Sequence, residues 1–187
     1  MKLVLYSGGF RKANRTLAHE AGALLSRRSR VAFVPVSSDD AEAEFREFKR
    51  SWAPVGSYEF SCFAIDRALG KADEAKLLSC DAIFLGGGNT FEFLHHLRER
   101  RLIGKLRLFV RKGGLLMGLS AGSILMTPNV RTASVPSIDS DDNEVGLKDL
   151  RALRLVPFEF SPHYEPSRKV DAELISHSRE AMHPIYA

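Results

Sequence analysis

A chain of 187 residues, 44% hydrophobic and 27% charged, is long enough for one sizeable core and too short for two comfortable domains. That balance excludes a disordered chain, and no apolar run approaches the length that spans a bilayer. Two cysteines, Cys62 and Cys80, exclude a disulfide framework or a cysteine-rich metal site, and both read as buried free thiols.

The elements alternate from the start. "KLVLYS" is a short apolar run ended by Gly8-Gly9, and the single Lys with its brief run reads as a first strand rather than a signal peptide. Leu17, Ala21, Leu24 and Leu25 then recur at helical spacing. "VAFVPV" is a second strand, and the "SSDD" after it offers helix-starting side chains. Ala41, Phe45, Phe48 and Trp52 mark one helical face, "YEFSCFAI" a third strand, and Ala72 to Leu78 a short helix. "DAIFLGGGNTF" combines a fourth strand, a triple-glycine turn and a helix start. Leu102, Leu106, Phe109 and Val110 carry another helical face, and "GGLLMG" is the fifth strand.

This order predicts a three-layer α/β domain over residues 1–187: a mostly parallel sheet with helices on both faces. Ligands of such sheets collect beyond the carboxyl ends of the strands, where the Gly8-Gly9, Gly86–Gly88 and Ser120 turns would fall. Thr127 to Asp149, with two prolines and the run "DSDDNE", reads as a long surface loop. "LRLVPFEFSPHY" returns to apolar alternation, and Pro162 holds its predecessor extended, which places His163 at a strand end on the same edge. Val170, Leu174 and Ile175 mark a last helix, and "HPIYA" looks like the beginning of a strand. The basic clusters "RRSR" and "RERR" lack interleaved aromatics and read as solvated helix ends, so no nucleic-acid partner is expected.

Gly118-Leu119-Ser120-Ala121-Gly122 fits G-x-S-x-G, between a strand and a helix start. A tight strand-to-helix turn pushes such a serine into the open and aims the helix N-terminus at a developing anion. The same serine could instead cap that helix, and the motif alone leaves the two readings even. A serine hydroxyl needs a base. Of the six histidines, His19, His95, His96, His177 and His183 fall within or beside helical stretches and read as bystanders. His163 alone stands at a strand end on the right edge. An oxyanion hole would take one N–H from Ala121 and a second from "GGGNT", where glycine lets backbone approach closely. That turn could also bind phosphate or simply connect strand to helix, although it lacks the features of a P-loop and of G-x-G-x-x-G.

Together, "FLGGGNTFEFLHHLRERRLIGKL", "GGLLMGLSAGS", "PNVRT" and "LRLVPFEFSPHY" resemble peptidase E, the aspartyl dipeptidase family of serine peptidases. The resemblance implies a glutamine-amidotransferase-like α/β fold and cytoplasmic cleavage of short peptides after an N-terminal aspartate, with no metal and no cofactor. By position it makes Ser120 the nucleophile, His163 the base, and Gly88 and Ala121 the oxyanion donors. Asn89 and Arg168 would bind substrate, Arg168 because a planar fork meets a carboxylate bidentately.

Two departures stand out. Where the family has an acid in an "ND" pair after "RT", this chain has Ala133 to Pro136 after Arg131-Thr132. The acid must then come from Asp139, Asp141, Asp142 or Glu144, of which Asp139 is nearest, or be absent. Family chains also continue past a segment like "PIYA", which implies a shortened C-terminus here. The expectation is a serine hydrolase of small peptides with no nucleic-acid or membrane partner, self-association as a homodimer being the further partner reading. The alternatives are a cyanophycin-cleaving relative and a non-catalytic protein that binds a small anion.

Overall fold

The structure, a computed structural model, describes residues 1–8, 11–135, 140–181 and 183–187, with side chains for all of these but 11–14. Strands and helices alternate through most of it: β1 (Lys2–Tyr6), α1 (Arg11–Ala23), β2 (Arg30–Val34), α2 (Ala41–Trp52), β3 (Glu59–Cys62), α3 (Lys71–Leu78) and β4 (Ala82–Leu85). Then come α4 (Thr90–Glu99), α5 (Leu102–Arg111), β5 (Leu115–Leu119), α6 (Ala121–Ile124), β6 (Glu159–Phe160), α7 (Arg168–Ala181) and β7 (Ile185–Tyr186).

The first five strands form one parallel sheet in the order β1-β5-β4-β2-β3. Its central strands are apolar without interruption, as strands covered on both faces must be. Alternate residues sort the two faces. Ala32, Val34, Ile83, Leu85 and Leu116 pack with Leu77, Phe91, Leu94 and Leu106 of α3, α4 and α5. Val31, Phe33, Phe84 and Met117 face the other way, onto Ala21 of α1 and Phe48 and Trp52 of α2. The expected three-layer architecture is therefore present. All parallel strands point their carboxyl ends to one edge, and Gly8, Gly86–Gly88 and Ser120 follow those ends directly.

Three details differ from the sequence reading. The alternating run before His163 forms only the two-residue β6, which pairs with β7 in a separate two-stranded sheet rather than extending the main one. The stretch from Thr127, read as surface loop, is buried at its start: Thr127, Val130, Thr132 and Ala133 are all enclosed, and Arg131–Ser134 forms a short 3-10 helix. The "RERR" cluster is also more than solvated surface. Arg98 donates to Asp149 O (2.5 Å) and Arg151 O (2.7 Å), and Arg100 donates to Ile65 O and Asp66 O (both 3.0 Å). With Arg107, which donates to Leu153 O and Ala152 O, these guanidinium groups satisfy carbonyls of irregular chain that no ladder serves. No helix among the described residues is long and apolar enough to cross a membrane.

Candidate active site

Ser120 occupies the single residue between β5 and α6, at φ 50° and ψ −110°. A non-glycine residue at positive φ is held there only by its surroundings. They do so by close packing. A Cβ on Gly118 would lie 2.3 Å from Gly122 C, and one on Gly122 would lie 2.3 Å from Leu85 O. Both motif glycines are thus sterically required, and strand and helix backbones touch across the turn. Buried Ser123 fastens the turn from inside. Its hydroxyl accepts from Tyr6 N (2.9 Å) and lies within bonding distance of Gly118 O (2.6 Å) and Tyr6 O (3.0 Å).

The Ser120 side chain makes no capping hydrogen bond to α6, so the alternative role of a helix cap drops out. Its Oγ instead lies 2.8 Å from His163 Nε2. His163 follows β6 by three residues and takes a left-handed φ of 59°, which turns the exposed imidazole back over the sheet edge. Its ring Cε1 is 3.9 Å from where a Cβ on Gly8 would sit, so Gly8 leaves room for it. The next residue, Tyr164, donates its hydroxyl to Asp171 Oδ1 of α7 at 2.6 Å.

Gly88 also has positive φ (116°), and a Cβ there would press to 3.0 Å from Val36 Cγ2. A Cβ on Gly87 would reach 3.8 Å from the Ser120 Cβ, so the triple-glycine turn runs directly beside the elbow. No described residue accepts a hydrogen bond from the backbone N–H of Gly88 or of Ala121. The N–H groups that open α4 are spent differently. Asn89 Oδ1 accepts from Phe91 N and Glu92 N (3.0 Å each), Asp141 Oδ2 accepts from Thr90 N (2.8 Å), and Phe93 N donates to Asn89 O. With its first turn capped by protein groups, α4 has no free donors for a phosphate. Asn89, expected to contact substrate, also donates Nδ2 to Asp142 O at 2.8 Å, so both ends of its amide are occupied.

The candidate acids divide. Asp139 lies outside the described residues. Asp141 caps α4, Asp142 is engaged through its carbonyl, and Glu144 is exposed. Among the described residues no carboxylate is hydrogen-bonded to His163. Arg168 opens α7, exposed and without an ion-pair partner among the described residues. The described groups closest to a metal-binding set are His95, His96 and Glu99 on α4, whose ligand atoms lie within 4.8 Å of one another. They pair along their own helix, and none bonds to Ser120 or His163.

The model of Peptidase family S51 matches residues 3–187. The chain belongs to that family. Peptidase E of Streptomyces coelicolor is 31% identical to this S51 chain over 168 residues, 88% of the chain and 64% of that protein. Peptidase E of a Nostoc species is 28% identical over 138 residues, covering 72% and 52%. Peptidase E of Escherichia coli is 34% identical over 91 residues, covering 48% and 37%. The matched stretch is thus less than two thirds of each of these relatives. A solved structure described as a peptidase E protein of Listeria monocytogenes is 25% identical with a TM-score of 0.73, covering 100% of this chain and 89% of that one. A peptidase from an acI-B1 Actinobacterium, 15% identical with a TM-score of 0.59, shares the fold.

Sequence reasoning passed over one cluster near this S51 site. Glu159, on β6 and 0% exposed, accepts from Asn129 Nδ2 at 2.6 Å and meets His177 Nε2 of α7 at 2.6 Å. Burial works against its charge, but the hydrogen bonds from His177 and Asn129 and the charge of His177 outweigh it and hold the carboxyl below its ordinary range. His177, read as a bystander, is therefore a partner of a buried acid. A glutamate within an otherwise apolar alternation was the available signal. Both cysteines are free, Cys80 buried and Cys62 half-buried. Burial, with the Glu44 charge, pushes the Cys62 thiol up to about 11, so it is no rival nucleophile at neutral pH.

Proposed function

We propose that this chain is a serine peptidase of small peptides that uses Ser120 as nucleophile and His163 as general base, with dipeptides bearing an N-terminal aspartate as substrates. One observation carries the reading. The elbow serine forgoes its helix cap and instead lies 2.8 Å from an imidazole nitrogen delivered by a distant segment. Ser120 Oγ attacks the scissile carbonyl carbon while its proton passes to His163 Nε2. The carbonyl oxygen, now an anion, takes the free N–H groups of Gly88 and Ala121. When the tetrahedral species collapses, the C–N bond breaks and His163 returns the proton to the leaving amine. Water, deprotonated by His163, then hydrolyses the acyl-enzyme.

Arg168 supplies the charge for the substrate's acidic side chain, since its guanidinium is unpaired among the described residues. Asp139 is the candidate for orienting the imidazole. The names of the relatives, Peptidase E, favour the same chemistry and add nothing about which dipeptide this chain prefers.

The test is release of aspartate from Asp-Leu, beside Glu-Leu and Leu-Leu, by the wild type, Ser120→Ala, His163→Ala, Asp139→Asn and Arg168→Met. Loss of either dyad member should lower kcat/KM by about 10⁴-fold or more with the fold intact. Arg168→Met should act through KM on Asp-Leu and leave any Leu-Leu turnover alone. A folded wild-type protein that cuts none of these, and whose Ser120 resists a fluorophosphonate, would sink the proposal.

A further inference from the structure

A cavity of about 580 Å³ lies under the sheet face that α1 and α2 cover. Its volume falls within the usual range of small-molecule sites, roughly 300–1,000 Å³. Its floor is apolar: Val4, Phe33, Phe84 and Met117 from four neighbouring strands. Ala18 and Ala21 of α1 and Phe48 and Trp52 of α2 line it from the helix side, and the charged Arg15, Glu44 and Arg50 line it as well. Tyr6 also lines it. Burial raises the Tyr6 phenol well above its ordinary value, and its hydroxyl has no hydrogen-bond partner among the described residues.

The position of the cavity matters more than its size. Its upper end is formed by Gly8, Gly86, Gly87, Gly88 and Leu119. Of these, Gly8, Gly87 and Leu119 border the Ser120–His163 pair. A Cβ on Gly87 would lie 3.8 Å from the Ser120 Cβ, and one on Gly8 would lie 3.9 Å from His163 Cε1. Gly88 is in addition the proposed oxyanion donor. No side chain projects from these glycines, so at this end only backbone and Leu119 stand between a carbonyl held at Ser120 and the apolar space.

We infer that this cavity is a specificity pocket for a large apolar side chain of the substrate, on the residue flanking the scissile bond. This rests on the proposed function and deepens it. With aspartate on the acyl side, the apolar side chain is that of the leaving residue, so Asp-Phe is preferred over Asp-Gly. Burying an aromatic ring against Phe33, Phe84 and Met117 contributes binding that a glycine leaving group does not make.

Two measurements test it. The first is the ratio of kcat/KM for Asp-Phe to that for Asp-Gly, in the wild type and in Ala21→Phe, which fills the cavity from α1. The ratio should exceed about tenfold in the wild type and fall towards unity in the variant. Ala18→Leu fills less space and serves if Ala21→Phe does not fold. The second needs no turnover. Ser120→Ala is loaded with the neutral fluorophore N-phenyl-1-naphthylamine, and Asp-Phe should displace it while Asp-Gly does not. Displacement without cleavage in the wild type keeps the pocket and removes the peptidase reading. Cleavage of a Phe-Asp peptide in preference to Asp-Phe would overturn the assignment to the leaving residue. Equal kcat/KM values and no selective displacement would overturn the pocket itself.

Discussion

Ser120 and His163 meet at 2.8 Å, yet the segments that bring them together are built in opposite ways. The serine stands on a turn jammed by backbone: Gly118 and Gly122 let strand and helix touch, Gly122 also meets the Leu85 carbonyl of β4, and buried Ser123 ties the turn to Tyr6 of β1. The histidine stands on exposed chain whose restraints all come from elsewhere. Tyr164 is tied to Asp171 on α7, while Glu159 on β6 is tied to His177 on α7 and to Asn129 beyond α6. A jammed turn resists almost any displacement. A segment held by a few polar bonds keeps its place only while those bonds last, so the weaker half of the dyad should be the imidazole.

Substitutions can break each half separately. The largest effect is expected at Gly122→Ala, whose methyl would meet the Leu85 carbonyl at 2.3 Å. Because the obstacle is backbone, the loss should be about 3 kcal/mol or more of stability, read as a lowered denaturant midpoint, with activity lost alongside. Glu159→Ala should cost about 3–5 kcal/mol, since it strips one partner from a buried pair and leaves His177 and Asn129 unsatisfied. Glu159 also sets an acid limit. Its folded carboxyl lies below the ordinary value of 4.5, so its stabilisation is complete above that value and drains away as pH falls through the folded value. Unfolding midpoints measured from pH 6 down to pH 3 should therefore drop in the wild type and drop less in Glu159→Gln. The smallest effect is expected for Tyr164→Phe, which removes one hydrogen bond to a charged acceptor near the surface. A small stability loss should accompany a several-fold fall in kcat with KM little changed. If Tyr164→Phe left kcat untouched, the histidine segment would be stiffer than this comparison holds.

The same contrast explains what could be read from the sequence. The elbow was legible because its motif is compact: G-x-S-x-G follows an apolar strand, although two of the groups that hold it, the Leu85 carbonyl and Tyr6, lie far away along the chain. The central strands β2 and β4 were legible as uninterrupted apolar runs. His163 could be placed on the right edge, but its left-handed backbone and the separate β6–β7 sheet depend on partners far along the chain. Asn89 sits beside the elbow in the GGGNT turn, and only the fold reveals that its amide is consumed by the α4 cap and the loop at Asp142. Glu159 and His177 are 18 residues apart, a spacing that no helical or strand period connects.

The backbone at Ser120 also limits which nucleophiles this scaffold can carry. At a φ of 50° a side chain branched at Cβ crowds the neighbouring peptide, whereas serine and cysteine have a single heavy atom beyond Cβ and fit the same turn. An exchange of hydroxyl for thiol therefore leaves the fold undisturbed and alters only the chemistry. An exchange of serine for threonine keeps the hydroxyl and fails on conformation. Descent within such a scaffold can move between oxygen and sulfur nucleophiles by one substitution, but the secondary alcohol of threonine is closed to it.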